Sequence, residues 1–495
     1  MARPLIQSWL KDLDHAWDHN SRTRPNYWTH DTSTLITESH VTSFALGTGE
    51  NIYHSLQSVL ESTSHELVIV TCFWARSQTL QTINTVLRNL SAKCHAKDQK
   101  IRVRLCFSSS SVFQKLFHPW SSNGKIYKPE SWSNTLGLPS AKELPGLDME
   151  VKSIFFLPFS VMHPKFIVID RQQVLLPSCN VSWENWFEGC IGLKGPVVQQ
   201  TVRFWQEFWA SPEDRQIDSG YPSNSNTPDV LPSPTTITSP QDHNGDVEVS
   251  PFRDSANTRN STLSKYISTN LHSIPTIFLP SPHHLYPRFR LPWQTHAPPP
   301  PTPLNTFLLT AFKHTQRNIY IQTPNLTSPP VLCALLAALR RGIDIYIITS
   351  ERLMILEQLV TAGTTTSRCV QQLIRRYQSV CSEYSQASSL LRIEEGHPRP
   401  GNLRIEYYQP RKTGQGIGAG EPVQSHLKLT IIDNELVVLG SGNLDRASWY
   451  TSQELGIAFF SKKLAGTVHD SVSEALKTRK RLIFDGATAR NGIAS

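Results

Sequence analysis

His163, Lys165 and Asp170 stand in the order His-Pro-Lys, four residues, Asp, and His426, Lys428 and Asp433 repeat that order as His-Leu-Lys, four residues, Asp. Each copy runs on into a second shared phrase: Pro177-Ser178-Cys179-Asn180 with Glu188 beyond it, and Gly440-Ser441-Gly442-Asn443 with Glu454 beyond it. An imidazole can attack phosphorus, and a second one can protonate a leaving alcohol. Lysines stabilise the charge on the phosphoryl oxygens. Two such sets at matched spacing point to one phosphate-handling site built from two halves, and chemistry of this kind needs no metal and no cofactor.

The spacing has a physical logic if each motif lies on a strand. Lys165 to Ile169 and Lys428 to Ile432 are β-branched and apolar, as in a buried strand, and each run ends at an aspartate. Side chains alternate faces along a strand, so His163 and Lys165 share one face, as do His426 and Lys428. A single His-x-Lys is usually an accident of surface composition. A second copy, followed by Ser-x-Asn and Glu at nearly the same offset, is not.

The doubled His-x-Lys-x4-Asp followed by Ser-x-Asn resembles the signature of the phospholipase D superfamily. That resemblance implies an α/β fold of two tandem phospholipase D-like halves, each a mixed β-sheet flanked by helices, related by a pseudo-twofold axis with the active site between them. It implies a phosphohistidine on one motif histidine, with the other acting as acid and then base; by the family's usual asymmetry His163 is the nucleophile and His426 the acid/base. It brings His163, Lys165, Asp170, His426, Lys428 and Asp433 into the catalytic motifs, with the two aspartates expected to secure the motif structurally. Asn180 and Asn443 are implied as phosphate-binding amides, Ser178 and Ser441 as part of the same oxygen-binding network, and Glu188 and Glu454 as carboxylates that orient the imidazoles. Two departures stand out. Pro177 replaces Gly440 and lacks a backbone donor, which predicts a different turn in the first copy. Glu188 follows Asn180 by 8 residues and Glu454 follows Asn443 by 11, yet both close the phrase Ser-Trp-x4-Glu, so the difference is a three-residue loop change.

The repeat continues upstream. Ile52, Leu56, Val59 and Leu60 have helical spacing, Leu67 to Thr71 reads as a strand, Leu80, Ile83, Leu87 and Leu90 as a helix, and Ile101 to Phe107 as a strand. Leu304 to Phe312, Ile319 to Thr323, Val331 to Leu339 and Ile343 to Thr349 replay that order, and Met149 to Phe156 and Leu403 to Tyr408 add one strand before each motif. Thr323 lies 252 residues beyond Thr71, and His426 lies 263 beyond His163, as duplicated units with variable loops would. The expected organisation is an N-terminal extension (1–48), a first half (49–210), a Ser/Pro-rich insertion and proline connector (211–302), and a second half (303–495), with the two sheets side by side. Within the insertion, Ile274 to Leu279 is apolar enough to pack on the body.

With 495 residues, 39% of them hydrophobic, the chain can form two cores. Its net charge of +8 and pI near 9.0 suit an anionic phosphodiester, whether lipid or nucleic acid. Eight scattered cysteines show no Cys-x2-Cys metal spacing and read as core residues of a protein in a reducing compartment. No run of about 18 apolar residues occurs and the N-terminus is too polar for a leader, which predicts a cytoplasmic or peripheral membrane protein. Phe113, Phe117, Trp120, Tyr127 and Trp132, interleaved with lysines, suit either a lipid boundary or a small core of their own. The glycine-rich Gly414 to Gly420 loop is a candidate rim over phosphate. Phe204, Trp205, Phe208 and Trp209 read as a helix packed on the sheet, and Val370 to Val380 as an amphipathic helix.

The first functional expectation is phospholipase D-type hydrolysis or head-group transfer on a glycerophospholipid at a membrane surface, as in a cardiolipin synthase. The alternatives are a nuclease or other nucleic-acid phosphodiesterase of the same superfamily, and a non-catalytic membrane-binding module, against which the intact motifs in both halves count. Oligomeric state is open, since a monomer holds both motifs.

Overall fold

The computed structural model describes residues 2–18, 31–95, 99–110, 123–155, 161–215, 265–282, 298–386, 398–413, 416–417 and 420–491. Phe113, Phe117, Trp120, most of the Ser/Pro-rich insertion and most of the glycine-rich loop lie outside them.

The architecture is a large mixed sheet flanked by helices, as expected for the α/β class. In the first half, Leu147–Ser153, Ile101–Ser109 and Glu66–Phe73 run parallel as neighbours, then Phe166–Ile169, Gln173–Pro177 and Trp186–Lys194 follow antiparallel. In the second, Leu403–Tyr408, Asp344–Thr349 and Asn318–Thr323 run parallel, then Leu429–Ile432, Leu436–Gly440 and Glu454–Phe460 follow antiparallel. The two orders and directions are the same. Every strand and helix read from periodicity is present, with ends moved by a few residues.

Two further strands, not read from periodicity, join the halves. Ile36–Gly47 pairs with Trp186–Lys194 on one side and with Lys265–Ser281 on the other, while Lys265–Ser281 pairs onward with Glu454–Phe460. The expected pair of sheets side by side is therefore one continuous set of ladders. Ile277, Phe278 and Leu279 are fully buried, so this apolar segment packs into the body as its composition predicted.

Each half has helices on the sheet for the usual reason: an apolar stripe must be covered. Gly49–Glu61 begins at an N-cap, Thr48, whose hydroxyl accepts from Asn51 N–H, and Pro303–His314 begins likewise at Thr302 with Asn305. The same Thr-x-x-Asn phrase thus opens the same helix twice. Phe204, Trp205 and Trp209 are buried, and Trp209 Nε1 donates to Gln453 Oε1 of the other half at 3.0 Å. Tyr127 and Trp132 are buried in the first-half core, with Trp132 Nε1 donating to the Tyr127 carbonyl, which is the small-core alternative for that stretch. Among the described residues no helix is long and apolar enough to cross a membrane.

Candidate active site

The motif strands are positioned by hairpin chemistry at their far ends. Asp170 and Arg171, and equivalently Asp433 and Asn434, have positive φ, with Gln172 N–H bonding the Ile169 carbonyl and Glu435 N–H bonding that of Ile432. These are the two left-handed residues of a type I′ turn, a place where Asp and Asn are tolerated. The Asp170 carboxylate accepts from the backbone N–H groups of Ser64, His65 and Glu66 (2.7–2.9 Å), and Asp433 accepts from Gln316, Arg317 and Asn318 (2.7–3.0 Å). Both aspartates tie the motif hairpin to the start of the neighbouring antiparallel strand, away from the histidines. Although they belong to the catalytic motif, their contacts are structural. Asp433→Ala is expected to cost about 3 kcal/mol, from three orphaned N–H groups and a left-handed alanine, with kcat of the folded protein retained. Urea unfolding beside turnover per folded molecule checks this; lost turnover at unchanged stability would put Asp433 in the chemistry.

At the other end the halves cross. His163 N–H donates to the Gln453 carbonyl (3.0 Å), and His426 N–H donates to the Phe187 carbonyl (2.8 Å). The residue after each of these carbonyls is a motif glutamate. The His163 imidazole accordingly pairs through Nδ1 with Glu454 Oε2 at 2.9 Å, and His426 Nδ1 pairs with Glu188 Oε1 at 2.7 Å. Each histidine is oriented by the carboxylate of the opposite half.

Behind each carboxylate sits a serine. Ser178 donates its hydroxyl to Glu188 and Ser441 to Glu454, while each serine oxygen accepts from a backbone N–H, of Gly189 at 2.9 Å and Leu455 at 3.0 Å. The two serines, expected among the phosphate-binding groups, hold the glutamates. Their surroundings match in both copies, with Ser178 N–H bonding the Gly189 carbonyl and Ser441 N–H that of Leu455, so Pro177 does not reshape the first turn. The change of residue follows packing. A Cβ on Gly456 would lie 2.8 Å from Leu304 Cδ1 and one on Gly442 3.1 Å from Leu304 Cδ2, whereas in the first copy Cys179 supplies the bulk and Gly49 gives the room, a Cβ there lying 3.3 Å from Cys179 Cβ. The three extra residues before Glu454 accompany a short helix, Arg446–Tyr450, capped by Asp445.

Lys165 and Lys428 are both buried, but they are engaged differently. Lys165 Nζ donates to the His163 carbonyl at 3.0 Å. Lys428 Nζ donates to the His426 carbonyl at 2.8 Å and lies 2.9 Å from both ring nitrogens of His426. A cavity of about 30 Å³ opens beside Lys428, walled by Leu304, Leu308, Gly440, Gly442 and Gly456. Asn443 Nδ2 donates to Asp445 at 3.0 Å, and Oδ1 of Asn180 and of Asn443 have no partner among the described residues. Trp186, absent from the sequence reading, lies 4.7 Å from the His426 ring; nothing but its nearness to Glu188 in the chain marked it.

Burial sets the protonation states. It pushes His426 down to about 3 and Lys428 down to about 7, against the pull of Glu188 in each case, and lowers His163 against the pull of Glu454. Burial would raise Glu188 and Glu454, but the neighbouring imidazoles and lysines outweigh it and hold both below the usual range. Two ionised carboxylates thus face two neutral imidazoles, and each Nδ1–H points at a carboxylate. Among the described residues no group of three His, Cys, Asp or Glu side chains is arranged to hold a metal ion.

Residues 308–476 match the family model described as cardiolipin synthase, PLD-like domain. The match covers most of the second half. In fold, the chain is similar to the phosphatidylserine synthase of Haemophilus influenzae, with 12% identity over 92% of this chain and 91% of that one, at a TM-score of 0.52. It also aligns with Nuc, a phospholipase D family member from Salmonella typhimurium, at 19% identity over 36% of this chain and 90% of that one (TM-score 0.24), and with the polyphosphate kinase of Porphyromonas gingivalis at 10% identity over 86% and 49% (TM-score 0.40). No curated protein sequence matches the chain.

Proposed function

We propose that the chain is a phosphatidyl transferase or phosphodiesterase acting on glycerophospholipids through a covalent phosphohistidine. The observation that carries the reading is the crossed pair of His-Glu contacts, which orients both imidazoles through Nδ1 and leaves Nε2 of His163 for chemistry. The two imidazoles are inequivalent. Lys428 crowds the ring nitrogens of His426, whereas Lys165 reaches only the carbonyl of His163, whose side chain is 16% exposed against 3% for His426. His163 therefore takes the part of nucleophile. Its Nε2 lone pair attacks phosphorus, the P–O bond to the head-group alcohol breaks, and the proton that alcohol needs comes from Nε2 of His426, which the anionic phosphodiester beside it holds as the imidazolium in the substrate complex. Water or an acceptor alcohol then gives its proton to His426 and attacks the phosphohistidine, which returns His163. Lys165, Lys428, Asn180 and Asn443 are the groups available to the phosphoryl oxygens. A family model described for cardiolipin synthase and a shared fold with a phosphatidylserine synthase favour a lipid substrate.

Purified protein given phospholipid vesicles and ethanol is expected to form phosphatidylethanol, read by mass spectrometry. Release of nucleotides from single-stranded DNA with no lipid turnover would overturn the lipid assignment.

A further inference from the structure

The helix Ile355–Ala362 is built inside out. At 100° per residue, Ile355, Leu359, Leu356 and Val360 fall on one arc of about 140°. In an ordinary surface helix that stripe faces the core. Here all four side chains are exposed, Leu356 by 79% and Val360 by 66%, with Met354 exposed beside them, while the residue turned inward and buried is the polar Gln358. The chain enters the helix through Met354 at φ 53° and leaves it through Gly363 at φ 65°, and a left-handed methionine is held only where its surroundings demand it.

Gln358 fastens the helix to the site. Its Nε2 donates to Asn325 Oδ1 at 2.9 Å, Asn325 Nδ2 reaches Asp445, and Asp445 accepts from Asn443 Nδ2. Its Oε1 accepts from Thr366 N–H and hydroxyl, which start the next helix. The apolar face therefore stands where the second half's phosphate-side asparagine is anchored. Arg352 precedes it and Arg368 follows it, both exposed, Glu351 is paired with Arg481 at 3.0 Å, and the helix itself carries one exposed carboxylate, Glu357, off the apolar arc. On the first-half side, three residues beyond Asn180, Trp183 is 64% exposed. Exposed apolar side chains flanked in the chain by two exposed arginines, with an exposed indole three residues from the other asparagine, match the boundary of an anionic bilayer, where aliphatic groups enter the acyl region and arginines meet phosphate.

We propose that Ile355–Ala362 is a docking helix that lays its aliphatic face into an anionic phospholipid surface and so presents the site to a head group. This rests on the lipid reading above. The test uses the full chain and vesicles of phosphatidylcholine with or without phosphatidylglycerol. The parent is expected to float with the phosphatidylglycerol vesicles. Leu356→Ser/Val360→Ser is expected to lose at least about tenfold in partition, with its circular dichroism and turnover of the soluble diester bis(p-nitrophenyl) phosphate unchanged. Equal partition of parent and variant, or no vesicle binding by the parent, overturns the proposal. So does a variant that binds vesicles normally but has lost self-association, which would make the face a contact between copies of the chain. Failure of the parent to turn over either soluble diester or lipid would sink the proposed chemistry, while the flotation result would still decide the docking helix.

Discussion

His426→Ala, mixed with bis(p-nitrophenyl) phosphate and quenched in base, is expected to carry a p-nitrophenyl phosphoryl group on His163. The leaving group departs as a stable phenolate and needs no proton from His426, so the first step proceeds: the N–P bond forms as the P–O bond breaks. Hydrolysis of the adduct then stalls, because water has lost the base that takes its proton. A near-stoichiometric burst of p-nitrophenolate should precede steady turnover lowered by about 10³-fold. His163→Ala should give neither burst nor adduct. Peptide mapping at high pH, where phosphohistidine survives, reads the outcome. An adduct on His426 in the His163→Ala protein would reverse the roles, and no adduct on either histidine would rule out the covalent route.

Glu188→Ala should injure the second-half motif rather than its own. Glu188 takes the Nδ1–H of His426 and the Ser178 hydroxyl, and its charge sits close to Lys428. Its removal leaves a buried lysine and imidazole without their counter-charge, a change worth about 3–5 kcal/mol in stability and about 10²–10⁴ in turnover. Glu188→Gln keeps the shape and an acceptor, and should recover most of the stability. A double-mutant cycle on urea unfolding separates the two possible pairings. Coupling of at least about 1 kcal/mol is expected for Glu188 with His426 and for Glu454 with His163, and below about 0.5 kcal/mol for Glu188 with His163. Strong coupling within a half would contradict the crossed arrangement.

The crossing has a structural cause. Each motif histidine is backbone-bonded to the residue preceding the other half's glutamate, so an imidazole and a carboxylate 238 and 291 residues apart in the chain are brought together by neighbouring main-chain contacts. A protein with one copy of the motif would have an imidazole and a carboxylate but not this pairing within itself.

The sequence by itself determined the repeated strands and helices, the two motif strands and the inventory of the site, because these depend on local periodicity and on residue types that serve one chemistry. Asp170 and Asp433 were legible as strand ends, but their left-handed turns and their backbone N–H partners came from the structure. Tertiary structure alone decided which glutamate serves which histidine, since nothing in the spacing distinguishes Glu188 from Glu454 as a partner for His163. It showed Ser178 and Ser441 bonded to the motif glutamates, and set Cys179 against Gly49 and Gly442 against Leu304. It made strands of Ile36–Gly47 and Lys265–Ser281, the latter broken by a left-handed Ser273 and by Pro275, because ladders on both sides fix a backbone whose own residues alternate poorly. It also turned Ile355–Ala362 outward. Amphipathicity gives a helix an apolar face, but only the buried bonds of Gln358 set which way that face points.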